Sequence, residues 1–377
     1  VLPMREGARL RLLMTVDAVG GVWTYALDLA GALARHGVET VLAVLGPPPS
    51  PDQRAVAARS AGLRLVETGL PLEWLADSAA EVEATGEAIA ALAAAQGADL
   101  VQLNTAGPAA AGRFRVPVVV ACHSCVATWW RAMRGGPMPA DFAWRTALVG
   151  RGYRRADLLV APSASFAAAT RAAYDLPETP LVIHNGRDAS AAPRAAAQEV
   201  FAFTAGRLWD EGKDAATLDR AAALLPFPLL AAGPVRGPHG GVVALPHLRL
   251  LGQLPAVGIA GWLAAGPIFV SAARYEPFGL AVLEAAQAGC ALVLADTPGF
   301  RELWDGAAVF VPPGGAEGFA TALRALAADR ERRATLGVAA RERATRYGLD
   351  AQAGAMLEAY HRVLRGTGGE RGRDVAA

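Results

Sequence analysis

The sequence predicts an α/β protein made of two doubly wound parallel-sheet domains that face each other across a cleft. Three observations carry this. Short apolar runs alternate with longer Ala- and Leu-rich helical patterns along most of the chain. That rhythm is the mark of βαβ units, with helices on both faces of a parallel sheet. The rhythm stops at a polar, Ala-rich stretch, residues 187–198, and then starts again. The length of 377 residues also suits two to three domains of about 150 residues each.

The elements follow in order. Residues 10–15 read as a first strand, followed by a Gly20-Gly21 turn and a helix to about residue 36. Residues 38–45, 100–103, 116–121, 158–161 and 181–184 read as further strands with helices between most of them. The second series places strands at 201–205, 229–232, 248–251, 268–271, 292–295 and 309–311. Long helices are expected at 316–328 and 331–347, and a last one at about 350–364. Residues 366–377 are rich in Gly and Arg and read as a flexible tail. No repeat of fixed short period is present. In such sheets ligands sit beyond the carboxyl ends of the strands.

Composition removes several function classes. There are 36 basic and 35 acidic residues, a net charge of +1. A nucleic-acid binder would usually carry a clear positive excess, so none is expected. Charged residues make up 19% and apolar residues 53%, which excludes disorder for most of the length. The charge-free stretch 250–273 is long enough to span a bilayer. It is broken by Gly252, Pro255, Gly258, Gly261, Gly266 and Pro267, so strand, turn, short helix and strand is the better reading. The N-terminal run shows no small-residue cleavage site, and no signal peptide is expected. Three cysteines, an odd number, suit a reducing compartment. A cytoplasmic location is expected, with peripheral contact at the inner face of the membrane as an option.

The 35 arginines face a single lysine, Lys213, so individual arginines carry little information and the lysine carries more. Several motifs are missing. No GxGxxG follows the first strand, which argues against a nicotinamide dehydrogenase. No GxxxxGK[ST] exists, because Arg207 stands at the first glycine position and Asp214 follows Lys213. No DxD pair and no GxSxG elbow occur.

Four segments carry chemistry. In 274–296, RYEPFGLAVLEAAQAGCALVLAD, Pro277-Phe278-Gly279 opens a helix after a strand. Helix N-termini offer backbone N–H groups and a positive dipole to an anion. Glu276 lies just before that point, and Glu284 lies about 7.5 Å along the helix from Gly279. Two carboxylates so placed bracket a diphosphate and can accept hydrogen bonds from vicinal hydroxyls. The bare spacing by itself better fits an ordinary capped helix with a surface glutamate; the surrounding YEPFGLAVLEA reverses that reading. In 205–214, AGRLWDEGKD, Arg207 and Lys213 flank a turn where both can meet one phosphate pair. Without a metal, such cations neutralise a leaving diphosphate. The segment 182–188, VIHNGRD, holds the Asn185-Gly186 turn. Near the front, VGGVWTY places Gly20 and Gly21 at a first βα turn, where a ligand can approach the backbone.

In this order the segments resemble retaining GT-B glycosyltransferases, specifically glycosyltransferase family 4. The matching residues are GGVWTYALDLAGAL, HNG, GRLWDEGKD and YEPFGLAVLEA. The resemblance implies two Rossmann-like domains and transfer of a hexosyl group from a nucleotide-diphosphate sugar with retained configuration. It implies an acceptor-side domain at 1–186, a nucleotide-sugar domain at 187–347, and a helix at 348–365 that crosses back to the first domain. Glu276 would contact sugar hydroxyls, Glu284 the ribose, and Arg207 and Lys213 the diphosphate. The backbone of Phe278, Gly279 and Leu280 would join them. Asn185 belongs to the donor site, and Gly20-Gly21 would approach from across the cleft. His123 occupies the end of the 116–121 strand, where the family often has a histidine against the transferred sugar. The donor would be a UDP-, GDP- or ADP-sugar and the acceptor a glycan, lipid or small molecule. No metal or other cofactor is expected. Two departures from the family pattern, Arg187-Asp188 after the Asn185-Gly186 turn and the QAGC run at 287–290, are expected to stand clear of the chemistry.

His123 also sits in Cys122-His123-Ser124-Cys125. A structural zinc needs four ligands, and no second pair follows at finger-like spacing, so buried inert thiols are the better reading. Residues 129–155 hold six arginines and three tryptophans against one acid, Asp141. The segment could meet an anionic acceptor or a membrane surface, or form a solvated arginine face. A non-catalytic GT-B subunit that binds a nucleotide sugar or a partner, and a nucleotide-sugar epimerase, are the alternative functions.

Overall fold

In the computed structural model, the described residues are 9–189, 199–237 and 240–370, with side chains described up to 366. The chain up to Gly186 and the chain from Leu349 onward form one compact unit, and Arg187–Gly348 form a second.

In the first unit β1 (Leu10–Asp17) is followed by α1 (Gly21–Ala34), β2 (Val38–Leu45), α2 (Pro51–Arg59), β3 (Leu63–Glu67) and α3 (Ala79–Ala95). Next come β4 (Leu100–Leu103), β5 (Val118–Ala121), α4 (Val126–Met133), α5 (Ala140–Arg155), β6 (Leu158–Ala161), α6 (Ala164–Tyr174) and β7 (Leu181–Val182). The strands lie in the order β3-β2-β1-β4-β5-β6-β7, and the pairings are all parallel. β1 sits between β2 and β4, and residues Leu12–Asp17 are buried, so it reads as a continuous apolar run.

β3 was not expected. It is an edge strand, LRLVE, with Leu63, Leu65 and Val66 half-buried and Arg64 and Glu67 exposed. A strand with one partner and a polar side gives a weak apolar signal. The strand expected from 116 starts at Val118. Pro117 precedes it and offers only its carbonyl, which accepts from the Val101 N–H at 3.0 Å.

The second unit contains β8 (Ala202–Ala205), α7 (Ala215–Ala222), β9 (Leu229–Ala232), β10 (Arg249–Gly252), α8 (Ala256–Ala264) and β11 (Ile268–Ser271). It continues with α9 (Leu280–Gln287), β12 (Ala291–Ala295), α10 (Pro298–Trp304), β13 (Ala308–Val311), α11 (Ala316–Ala328) and α12 (Arg330–Ala344). Its parallel sheet has the order β10-β9-β8-β11-β12-β13. The six expected strands all occur here, and the stretch 250–273 is the end of β10, α8 and β11. Among the described residues, no helix is long and apolar enough to cross a membrane. Phe203, Phe269, Phe300, Trp304 and Phe319 are fully buried at the centre of this unit.

The last helix, α13 (Leu349–Glu370), packs on α1 within the first unit. Its Met356, Ala359 and Tyr360 join the same buried cluster as Leu12, Met14, Leu29 and Leu42. The helix runs beyond the expected end near 364, into the start of the segment read as a tail, and residues 371–377 lie outside the described ones. So do residues 190–198 of the expected linker.

Both sheets have a switch point where the strand order reverses, the place where open α/β sheets bind ligands. In the first unit it lies between β1 and β4, and in the second between β8 and β11. The loops that leave those strands hold most of the residues singled out by sequence.

Candidate functional site

In the second unit the loop after β8 carries Arg207 and Lys213, and the loop after β11 carries Glu276 and leads into α9. One carbonyl joins the loops. Gly212 O accepts from the N–H groups of Arg274 at 2.9 Å and Tyr275 at 3.1 Å. This brings the Lys213 ammonium onto the Glu276 carboxylate as an ion pair, both largely buried. Asp210 orders the first loop. Its Oδ1 accepts from the Gly212 N–H at 2.9 Å and its Oδ2 from Arg207 Nη2 at 2.8 Å. The Arg207 guanidinium lies 5.5 Å over the Trp209 ring. Asp214, in a left-handed conformation at φ 49°, ends this turn and caps α7 by accepting from the Thr217 N–H at 3.3 Å.

Gly279 is the N-cap of α9 and has φ 91°, a conformation that favours glycine. A Cβ there would lie 3.3 Å from Glu276 Cγ and 3.2 Å from Phe300 Cε1, so this glycine also makes room for the carboxylate's stem. The first N–H groups of α9 lack intrahelical acceptors, which leaves Gly279 and Leu280 at the anion-favouring end. The Phe278 side chain is core: it is buried and meets Tyr347 edge-on at 5.7 Å.

Glu284 points from α9 to Arg187, with Nη2 to Oε1 at 2.7 Å. Gln287 Nε2 donates to the Arg187 carbonyl at 2.7 Å. The two departures from the family pattern therefore do not stand clear of the site. The two departures meet each other beside Glu284: Gln287 holds the Arg187 backbone and Arg187 pairs with Glu284, and Glu284 and Gln287, three apart, share one helix face. Asp210 and Arg187 are the residues here that sequence reasoning missed.

In the first unit Gly20 caps α1 beyond the end of β1, and His123 follows β5. His123 Nε2 lies 2.9 Å from Asn104 Oδ1. Asn104 is oriented by Nδ2 donating to Thr15 O at 2.6 Å, so its Oδ1 faces the imidazole and Nε2 must be the donor. Burial pulls the His123 pKa down to about 4, which keeps the ring neutral at physiological pH with Nδ1 as acceptor. Tyr25 stacks edge-on to it at 4.4 Å, and burial raises that phenol to about 12. Gln102 Nε2 donates to Asn104 Oδ1 at 3.0 Å and Tyr25 OH at 3.3 Å, while Tyr360 of α13 donates to Gln102 Oε1. Tyr25, His123, Ile183, Asn185 and Met356 line one small cavity. Asn185 thus sits with His123 in the first unit.

Cys122 and Cys125 are in no disulfide. Burial pushes both upward in pKa, so neither is a thiolate at neutral pH. In the 129–155 segment five of the six arginines are exposed and Arg145 is half-buried, and three of them are held by the fold. Arg145 donates to the carbonyls of Glu73 and Ala76 at 2.8 and 2.7 Å, Arg151 pairs with Glu83, and Arg154 donates to Tyr174 O at 2.7 Å.

Glu73, in the loop after β3, was also missed. Burial raises its pKa to about 7, against the lowering effects of the Gly107 N–H, Thr105 and Arg145. The folded chain therefore holds this proton more tightly than the unfolded one. The contribution to stability is complete below about pH 4.5 and is lost as pH rises through about 7. Glu73→Gln keeps an acceptor for Gly107 without the charge. Chemical denaturation at pH 5 and pH 8 should show the variant gaining roughly 1–3 kcal/mol on wild type at the higher pH. An equal difference at both values would contradict the shift.

Residues 19–191 match the family model described as Glycosyltransferase Family 4, and residues 200–329 match the one described as Glycosyl transferases group 1. D-inositol 3-phosphate glycosyltransferase of Kribbella flavida is 36% identical over 114 residues, 30% of this chain and 27% of that protein. Phosphatidyl-myo-inositol mannosyltransferase of Mycolicibacterium smegmatis is 33% identical over 120 residues, 31% of each. These matches span under a third of the length of those relatives. Sucrose-phosphate synthase of Thermosynechococcus elongatus has a TM-score of 0.80 and 21% identity, over 95% of this chain and all of that one. Anabaena HepE, solved in complex with UDP and glucose, has a TM-score of 0.69 and 18% identity, over 93% of this chain and 100% of that one. At these identities the structures speak for the fold. The chain has the GT-B fold, and its two halves match, in succession, the Glycosyltransferase Family 4 and Glycosyl transferases group 1 models.

Proposed function

We propose that the protein is a metal-independent retaining hexosyltransferase that uses a nucleoside-diphosphate sugar. The observation that carries this reading is the Lys213–Glu276 pair at the switch point of the second sheet, with Arg207 on the same loop as Lys213. These charges are paired with one another, Lys213 with Glu276 and Arg207 with Asp210. An arriving diphosphate gives the two cations a new partner and leaves Glu276 to accept hydrogen bonds from sugar hydroxyls. Glu284 accepts those of the ribose, and the first N–H groups of α9 complete the phosphate contacts.

The acceptor hydroxyl oxygen bonds to the anomeric carbon as the bond from that carbon to the diphosphate oxygen breaks. The hydroxyl proton passes to the departing diphosphate, and attack on the face the diphosphate leaves retains the configuration. Arg207 and Lys213 stabilise the charge that develops on the leaving group. The chain has no DxD pair, so this stabilisation falls to the cations. The first unit supplies the acceptor side, where neutral His123 offers Nδ1 to a sugar hydroxyl.

The test is turnover of UDP-, GDP- and ADP-hexoses in excess EDTA, with and without acceptors. Inositol phosphates are the first acceptors to try, because the matched relatives are named for inositol substrates. Turnover of one donor that persists in EDTA supports the reading. Activity abolished by EDTA and restored by Mg²⁺ or Mn²⁺ contradicts it.

A further inference from the structure

We propose that Arg187 is a positioning residue that sets Glu284 for the ribose of the donor, an inference that rests on the donor-site reading above. Arg187 is tied to the second unit at three points. Its N–H donates to Tyr347 O at 3.2 Å, its carbonyl accepts from Gln287 Nε2 at 2.7 Å, and its guanidinium pairs with Glu284 at 2.7 Å. Tyr347 is itself held, with its hydroxyl on Leu303 O at 3.3 Å and its ring against Phe278. The backbone of Arg187 is thereby fixed, so its side chain reaches Glu284 from a set origin.

The pair is not an ordinary surface bridge, which would contribute little. The side chains are only 19% and 25% exposed. A carboxylate has about four lone-pair sites, room for one guanidinium contact and a vicinal diol together. Glutamate at an exposed helix position would otherwise sample several rotamers. Arg187 selects one of them by pairing with the half-buried carboxylate. A ribose then meets acceptors already in place, and a nucleotide without ribose hydroxyls gains nothing from the arrangement.

The discriminating experiment measures binding of UDP, GDP and ADP and of their 2′,3′-dideoxy counterparts by calorimetry. Wild type, Arg187→Leu, Arg187→Lys, Gln287→Leu and Glu284→Gln are compared, with thermal unfolding of each. Wild type should prefer the ribose form of its nucleotide about tenfold or more. Arg187→Leu should reduce that preference to about threefold or less, as Glu284→Gln does, while affinity for the dideoxy form stays the same. Arg187→Lys should restore part of it, and Gln287→Leu, which frees only the backbone contact, should reduce it less. A loss of affinity for both forms by the same factor in Arg187→Leu, or an unchanged preference, overturns the role of Arg187 alone. Failure of wild type to bind any of the three nucleotides overturns the donor-site reading together with this inference.

Discussion

Lys213→Gln is expected to lower turnover of the donor about 10²- to 10³-fold, the scale of losing one preorganised charge at a developing anion. The lysine is held ready by the loop geometry: Gly212 O fastens the turn to residues 274 and 275, and the ammonium rests on Glu276. Glutamine is one atom shorter and keeps a hydrogen-bond donor but not the charge. The fold should survive, because the loop is ordered by Asp210 and by backbone contacts rather than by the ammonium. Lys213 is also the one lysine in the sequence. An amine-acylating reagent can therefore reach only it and the amino terminus, and the correct nucleoside diphosphate should protect it. Full acylation of Lys213, read by mass spectrometry, with transfer at its original rate would contradict this role.

Glu276→Gln should separate sugar recognition from nucleotide recognition. Removing a carboxylate that accepts hydroxyl hydrogen bonds costs about 1.5–3 kcal/mol for each charged bond lost, so kcat/KM for the sugar nucleotide should fall about 10- to 100-fold. The bare nucleoside diphosphate should bind as tightly as before or more tightly. In wild type Glu276 occupies Lys213, and the variant leaves that ammonium to the phosphate. Equal weakening of nucleotide and sugar nucleotide would show that Glu276 acts only by holding the loops together.

Most of the fold was legible because both sheets are buried and parallel. β8, β9, β11 and β12 are nearly continuous apolar runs, which periodicity detects without tertiary knowledge. β3 escaped because an edge strand with one polar side has no such run. Residues 331–347 read as a single helix, yet α12 ends at Ala344 and a 3₁₀ turn covers Thr345–Tyr347.

The site was legible where one local segment carries it, as in 205–214 and 274–284. It was not legible where distant segments meet. The pairing of Arg187 with Glu284 spans 97 residues of sequence, and an arginine among 35 gives no signal of its own. Gln287 escaped for the same reason, since its partner is a backbone carbonyl. Glu73 lay in a stretch without a recognised element, and its raised pKa comes from burial that only the assembled fold creates.

The most direct measurement follows the anomeric proton of the sugar released from the preferred donor by ¹H NMR, with the enzyme in excess EDTA and before mutarotation. An α-linked hexose donor should give the α-anomer first, at a rate unchanged by the chelator and reduced in Lys213→Gln. Release of the β-anomer first, or no release until a divalent metal is added, would contradict metal-independent retaining transfer.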